Sequence, residues 1–451
     1  MSQPLANRFA EYACGLRFAD LPAAAVHETK RRFIDSFATA VGAMDADAFA
    51  IARRCALRVS SEPGATLLGG GRSSVEWATF VNGLLIRYLD YNDTYLSLEP
   101  AHPSDNLAAV LCVGEMAGAT GQDMITAAVL AYEIQCRLCD ASSLRKNGFD
   151  HVTYGAISSA LAACKLLKLD ATKCTHAIGL AGVANTALRQ TRSGELSMWK
   201  GCAFANAARN GVFAALLAAE GMTGPAPIFE GDVGFMKLLT GPFTVAEMGS
   251  KDRPFMINET YIKFWPAEYH SQSAIDAALQ LRPQVPDIRA VKAIDIHTFD
   301  AAVDIIGKDP EKWRPRTRET ADHSLPYCTA VALADGDVTL AQFEQERFTE
   351  KALLDLVAKV KVHRDAGLSA RYPAGIPNRI TITLEGGKQI VKEVEFPRGH
   401  ARNPMTDAEV EKKFRTMVEP RYGKDKADKM LKACWELDKL KGAGELLALV
   451  Q

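Results

Sequence analysis

The absences in this 451-residue sequence narrow its function first. No unbroken apolar run reaches the roughly 18 residues of a membrane-crossing helix, so no membrane partner is expected. Neither sign of charge predominates: 53 Lys and Arg stand against 54 Asp and Glu, a formal net charge of −1. A balance this even argues against a nucleic-acid partner held by bulk electrostatics. The start, Met1-Ser2-Gln3-Pro4, lacks a basic segment followed by an apolar stretch, and no secretion signal is expected. The glycine patterns of dinucleotide- and phosphate-binding loops are missing, as are G-x-S-x-G and H-E-x-x-H. That removes the commonest nicotinamide, nucleotide and acyl-transfer readings. With no close histidine pair either, no metal is expected. Internal repeats and low-complexity linkers are also absent.

Ten cysteines are scattered, mostly inside apolar runs, which fits reduced core thiols in a cytoplasmic protein. Cys136-Arg137-Leu138-Cys139 has C-x-x-C spacing. It sits in a helical pattern with no second pair and no preceding strand, so it reads as structural.

Apolar residues make up 48% of the chain, ample for more than one core, and the length implies two or three domains. Up to about residue 260 the pattern is helical and alanine-rich: Leu5, Phe9, Tyr12 and Leu16 recur at helix spacing, and Val26 to Val41 is a long candidate. Gly64 to Gly71 reads as a glycine-rich turn. Thr120 to Asp123 resembles a capping box. Ala203 to Ala219, small or apolar on most sides, suits the middle of a bundle, with Gly221 at its end. Beyond about 261, Ile294, Ile296 and Thr298 alternate with Asp295 and His297 as a half-buried strand does. Ile380, Ile382 and Leu384 repeat this, and Glu385-Gly386-Gly387-Lys388 reads as a hairpin turn. Thr406 to Glu409 opens a last helical region. The fold expected is mainly α with an α+β insertion: a discontinuous helical domain over 1–262 and 399–451, and a smaller α+β lid domain over 263–398.

The most informative stretch runs from Arg87 through Asp90, Asp93 and Thr94 to His102 and Asp105. Pro100 and Pro103 keep it out of helix, between two apolar runs. A rigid scaffold holding an irregular acidic loop is a common setting for function. Asp, Ser and Asn are also ordinary helix caps, and both readings stand at this point. Of the nine histidines, His102, His151, His270 and His323 lie beside other polar residues. Imidazole moves protons near pH 7, and the alternative for each is a hydrogen-bonded structural histidine. Lys200 precedes the small-residue helix. A lysine at a helix N-terminus is disfavoured by the helix dipole and invites an anionic ligand, against the alternative of a solvated surface lysine.

Taken together, Leu89-Asp90-Tyr91-Asn92-Asp93-Thr94, His102-Pro103-Ser104-Asp105-Asn106, Tyr132-Glu133-Ile134-Gln135, Asp150-His151-Val152, Tyr269-His270-Ser271-Gln272-Ser273-Ala274 and Gly399-His400-Ala401-Arg402 resemble the MmgE/PrpD family. Its 2-methylcitrate dehydratase members are the nearest in pattern. The resemblance implies the same discontinuous helical domain with an α+β lid, usually as a homodimer. It also implies chemistry on small di- or tricarboxylates without an organic cofactor: dehydration of 2-methylcitrate, decarboxylation of cis-aconitate or epimerisation of iminodisuccinate. Each needs a base, an acid and cations for carboxylates. Carried over, the catalytic residues are Asp90, His102, His151, Lys200 and His270, with Thr94 and Tyr327 binding substrate. In that assignment His102 is the main acid/base, tuned by Asp90, and His151 the second proton-transfer group. Lys200 and His270 neutralise carboxylates, and Thr94 and Tyr327 donate hydrogen bonds. The segments 309–327 and 186–198 depart from the dehydratase pattern; if substrate groups dock there, a different substrate is expected. The reading from another class is a non-catalytic scaffold that keeps the fold; it would be signalled by loss of Asp90, His102, Lys200 or His270, and all four are present.

Overall fold

A computed structural model describes residues 3–450 of the chain. It divides into two compact units, one of Met1–Thr191, Gly201–Thr260 and Thr406–Gln451, the other of Arg192–Lys200 and Tyr261–Met405.

The first unit is a stack of helices around an alanine-rich core. Helix Leu5–Gly15 buries Leu5 and Phe9, and helix Ala23–Gly42 covers the long candidate and buries its whole second half. Thr120 accepts from the Asp123 amide while the Asp123 carboxylate accepts from Thr120, closing the expected capping box on helix Gly121–Ala141. The Gly64–Gly71 segment is a short antiparallel hairpin, Ala65–Thr66 against Arg72–Ser73, turned by Gly69, Gly70 and Gly71 at positive φ. Helix Trp199–Ala219 is long and apolar enough to cross a membrane by length and composition, although the sequence holds no unbroken apolar run there: Arg209 and two asparagines interrupt it. Within the protein, 61% of the apolar window is buried. Phe204, Ala207 and Ala208 on it pack with Val152, Ala156 and Ala160 of helix Val152–Leu166. Gly155 is one of the close contacts between the two helices: a Cβ there would run into the Phe204 ring.

The second unit is built on a four-stranded sheet. Strand Val291–Thr298 pairs in parallel with Val360–Arg364 and antiparallel with Asn378–Leu384, which pairs with Gln389–Val394. Ile294, Ile296, Ile380 and Ile382 point to one buried face, as their alternation requires. Leu384 faces Lys388 across the hairpin, and Gly386 and Gly387 both take positive φ in the three-residue loop Glu385-Gly386-Gly387 between them. Helices Gln272–Leu281 and Leu325–Asp335 cover that face. The strand Val360–Arg364 was not anticipated. The unit also takes in residues 399–405: His400 stacks on Tyr261 at 4.5 Å, and Gly399 lies so close to the Ile262 carbonyl that no side chain fits.

Cys136 and Cys139 are buried on helix Gly121–Ala141, where burial pushes both thiols well up. That is the environment of inert core cysteines. Replacing Gly155 with Ala overfills the contact with Phe204 and is expected to cost about 1–3 kcal/mol, read from urea unfolding midpoints; adding Phe204→Leu is expected to recover part of it.

Candidate active site

In the first unit, helix Val75–Tyr88 carries Arg87 in its last turn, with the guanidinium almost wholly buried. It pairs with the Asp90 carboxylate through Nη1, lies 3.7 Å from Asp105 through Nε, and reaches Nε2 of His102 through Nη2 at 3.0 Å. Asp90 takes φ +50°, the left-handed region that aspartate tolerates better than most residues, and the ion pair holds it there. The chain then doubles back. Tyr95 and Ala101 exchange backbone hydrogen bonds at 2.8 and 2.9 Å, and Pro103 opens a short 3₁₀ turn that leads into helix Leu107–Met116.

Asp93 organises the loop from inside. Its Oδ1 accepts from the Ser104 amide at 2.9 Å, its Oδ2 from the Tyr132 hydroxyl at 2.6 Å, and Arg32 stands 3.4 Å away. Burial and the Asp93 charge push the Tyr132 hydroxyl well up, so it stays a donor. Asn92 donates to Ser104 and Asp105. The backbone carbonyl of Asp93 accepts from Nδ1 of His102 at 2.8 Å. A carbonyl only accepts, so Nδ1 carries the proton. A guanidinium only donates, so Nε2 presents its lone pair to Arg87. The expected tuning of His102 by Asp90 therefore runs through Arg87, which is bonded to both.

His151, at the start of helix Val152–Leu166, has its own carboxylate: Nδ1 lies 2.9 Å from Oδ1 of Asp150. Asp150 is tied down by its amide, which donates to the Ala187 carbonyl at 2.8 Å. The His102 and His151 rings are 5.8 Å apart. Thr94 is in the loop as expected, but its hydroxyl donates to the Ala101 carbonyl at 3.0 Å. Its single proton is committed to closing the loop rather than to a ligand.

In the second unit, Nδ1 of His270 is 2.6 Å from Glu268, with Nε2 at 3.4 Å from the Tyr372 hydroxyl. Nδ1 of His323 is 2.5 Å from Asp322, and Nζ of Lys200 is 3.9 Å from that same carboxylate. Lys200 is 1% exposed, which rules out the solvated surface lysine. Lys263 and Lys312 are also buried. Burial pushes the Lys312 ammonium down, against the pull of Asp309, Asp322 and Glu268. Tyr327 departs from expectation: its ring packs near Phe343 in the core, and its hydroxyl donates to the Gln342 carbonyl.

Sequence reasoning assigned no role to Arg87, Asp150, Glu268, Lys263 or Lys312, and it noted His323 without giving it or Asp322 a part. One signal was available. Each of His151, His270 and His323 follows a carboxylate by one or two residues, in Asp150-His151, Glu268-Tyr269-His270 and Asp322-His323.

Comparison with known proteins fits this arrangement. Residues 7–248 match the MmgE/PrpD N-terminal domain and residues 265–437 the MmgE/PrpD C-terminal domain. The chain belongs to the MmgE/PrpD family. It is 30% identical to 2-methylcitrate dehydratase of Escherichia coli K12, over 72% of this chain and 71% of that protein. The same identity holds with 2-methylcitrate dehydratase of Cupriavidus necator, over 76% and 75%. Cis-aconitate decarboxylase of Homo sapiens is 24% identical over 100% of this chain and 95% of its own. The two bacterial relatives are hydro-lyases, and the chain is an enzyme of this family.

Burial raises the Glu268 carboxyl, but the charge and hydrogen bond of His270, with His323 and Lys263, outweigh it and hold it at about 2 against an ordinary 4.5. A carboxyl lowered on folding stabilises the fold above its unfolded value and loses that contribution as pH falls toward the folded one. Melting temperature is therefore expected to fall between pH 4.5 and 2 more steeply in the wild type than in Glu268→Gln.

Proposed function

We propose that the protein is a hydro-lyase that removes water from 2-methylcitrate or a close tricarboxylate, by acid/base catalysis from histidine and without an organic cofactor. The observation that carries the reading is the pair of rings of His102 and His151, 5.8 Å apart, one held between a carbonyl and Arg87, the other backed by Asp150. Elimination of water needs a base for the proton on the carbon next to a carboxylate and an acid for the departing hydroxyl. His151 suits the base: a carboxylate on Nδ1 fixes the tautomer and stabilises the imidazolium that forms, so that Nε2 is the nitrogen that takes the proton. His102 suits the second transfer, once a substrate carboxylate draws Arg87 off its lone pair. Lys200 and His270 take the part of cations for the remaining carboxylates, and Asp90 acts by holding Arg87. Thr94 and Tyr327 serve the protein's own framework in this account.

A decarboxylase acting on a cis-aconitate-type acid is the second reading, favoured by one observation: the decarboxylase relative matches over 100% of this chain, against 72% for the Escherichia coli dehydratase. We also propose a cytoplasmic homodimer. Ten cysteines without a disulfide support the first part, and the exposed apolar side chains Val183, Leu188 and Phe213 support the second.

The test is ultraviolet absorbance of the enoate product, with 2-methylcitrate, citrate and cis-aconitate supplied separately. The account expects absorbance to rise with 2-methylcitrate and His151→Ala to lower the rate roughly 10²–10⁴-fold. A fall in absorbance with release of CO₂ from cis-aconitate, and no change with either hydroxy acid, would establish the decarboxylase instead.

A further inference from the structure

Two cysteines far apart in sequence meet at the surface of the first unit. Cys14, in the last turn of helix Leu5–Gly15, is exposed, and its Sγ lies 3.9 Å from Sγ of Cys174, in the first turn of helix Ala171–Ala184. One acceptor gathers both thiols: the Leu169 carbonyl is 3.4 Å from the first and 3.7 Å from the second. Lys165 fastens the helix end by donating to the Cys14 carbonyl at 3.2 Å. The pair opens into a cavity of 370 Å³ whose rim carries Arg17, Lys165 and Lys168 against Asp123. Small polar reagents therefore reach Cys14 first.

We propose that Cys14 and Cys174 form a reversible disulfide when the protein meets hydrogen peroxide, stapling the N-terminal helix to helix Ala171–Ala184. The sulfurs need to close from 3.9 Å to about 2.05 Å. That movement falls to Cys14, whose side chain faces solvent. The Cys14 thiolate attacks one peroxide oxygen, the O–O bond breaks, and a sulfenic acid and one water result. The Cys174 thiolate then attacks that sulfur and displaces the second water. Two thiols lose two protons and two electrons, and the peroxide becomes two waters. Reduction by a small dithiol reverses the bond.

The same surroundings make the pair slow. Burial, then the neighbouring Cys174 thiol and Asp170, push the Cys14 thiol up to about 11, against the pull of Lys165. The fraction present as thiolate at neutral pH is small, so oxidation is expected under sustained exposure and to quicken as pH rises. Cys164, fully buried beside Cys174, is the competing partner.

Trypsin releases Cys14, Cys164 and Cys174 on three different peptides, which makes the outcome legible. The full chain is incubated with hydrogen peroxide, remaining thiols are alkylated, and the digest is read by mass spectrometry. Two thiols should be lost, the Cys14 and Cys174 peptides should appear joined at about 2 Da below their sum, and the melting temperature should rise by several degrees until dithiothreitol is added. Cys14→Ser, a change at an exposed position, should abolish both the joined peptide and the rise. Cys174 joined to Cys164, Cys14 overoxidised with Cys174 still alkylated, or all ten thiols retained would each overturn the proposal.

Discussion

The buried guanidinium of Arg87 is the constraint on which the candidate site depends. It closes helix Val75–Tyr88, pairs with Asp90, faces Asp105 and bonds to His102. The loop it anchors is irregular yet buried, so its polar groups must find partners within the protein. Without Arg87, two carboxylates would be left charged in a medium that solvates them poorly. Removing one partner of such a buried pair typically costs about 3–5 kcal/mol. The left-handed turn at Asp90 persists because that pairing repays its strain.

A second network supports the first from below. Asp93 takes bonds from Ser104, Tyr132 and His102, the last through its backbone carbonyl, with Arg32 close by. At the edge of the loop, Lys413 from the C-terminal helix Asp407–Tyr422 bonds to the Tyr91 carbonyl at 2.7 Å and to Asp35 at 2.6 Å. The last helices of the chain thus help to hold a loop more than three hundred residues earlier in sequence. The result is two imidazoles in contrasting surroundings within one unit. One has its lone pair turned to a cation, and the other has its N–H turned to a carboxylate. Contrast of that kind is what separates an acid from a base at a common pH.

Much of this could be read from sequence. The helical stripes, the capping boxes at Thr120 and Thr406, the alternating isoleucines and the double-glycine turn obey local rules, and tertiary structure left them alone. The acidic loop and its histidine stood out because they lie within sixteen residues. What escaped depended on direction. An arginine in a last helical turn looks like a surface cation compensating the helix dipole, and only the fold turns Arg87 inward. The hydroxyls of Thr94 and Tyr327 are the right chemistry for binding a ligand, yet backbone carbonyls nearer to hand take their protons. Strand Val360–Arg364 alternates Val360 and Val362 with Lys361 and His363, but over too few residues for the pattern to stand out. Residues 399–405 carry too little apolar pattern to reveal that they stay with Tyr261.

The central claim is that Arg87 and the Asp93 carbonyl fix His102 as the Nδ1-protonated imidazole with its Nε2 lone pair turned to the guanidinium. Nitrogen-15 NMR of histidine-labelled protein, with His102 assigned by its loss in His102→Gln, tests this most directly. The account predicts a protonated Nδ1 and an unprotonated Nε2 for His102 at neutral pH, and loss of that fixed tautomer in Arg87→Met. A His102 protonated at Nε2, or at both nitrogens, would contradict it.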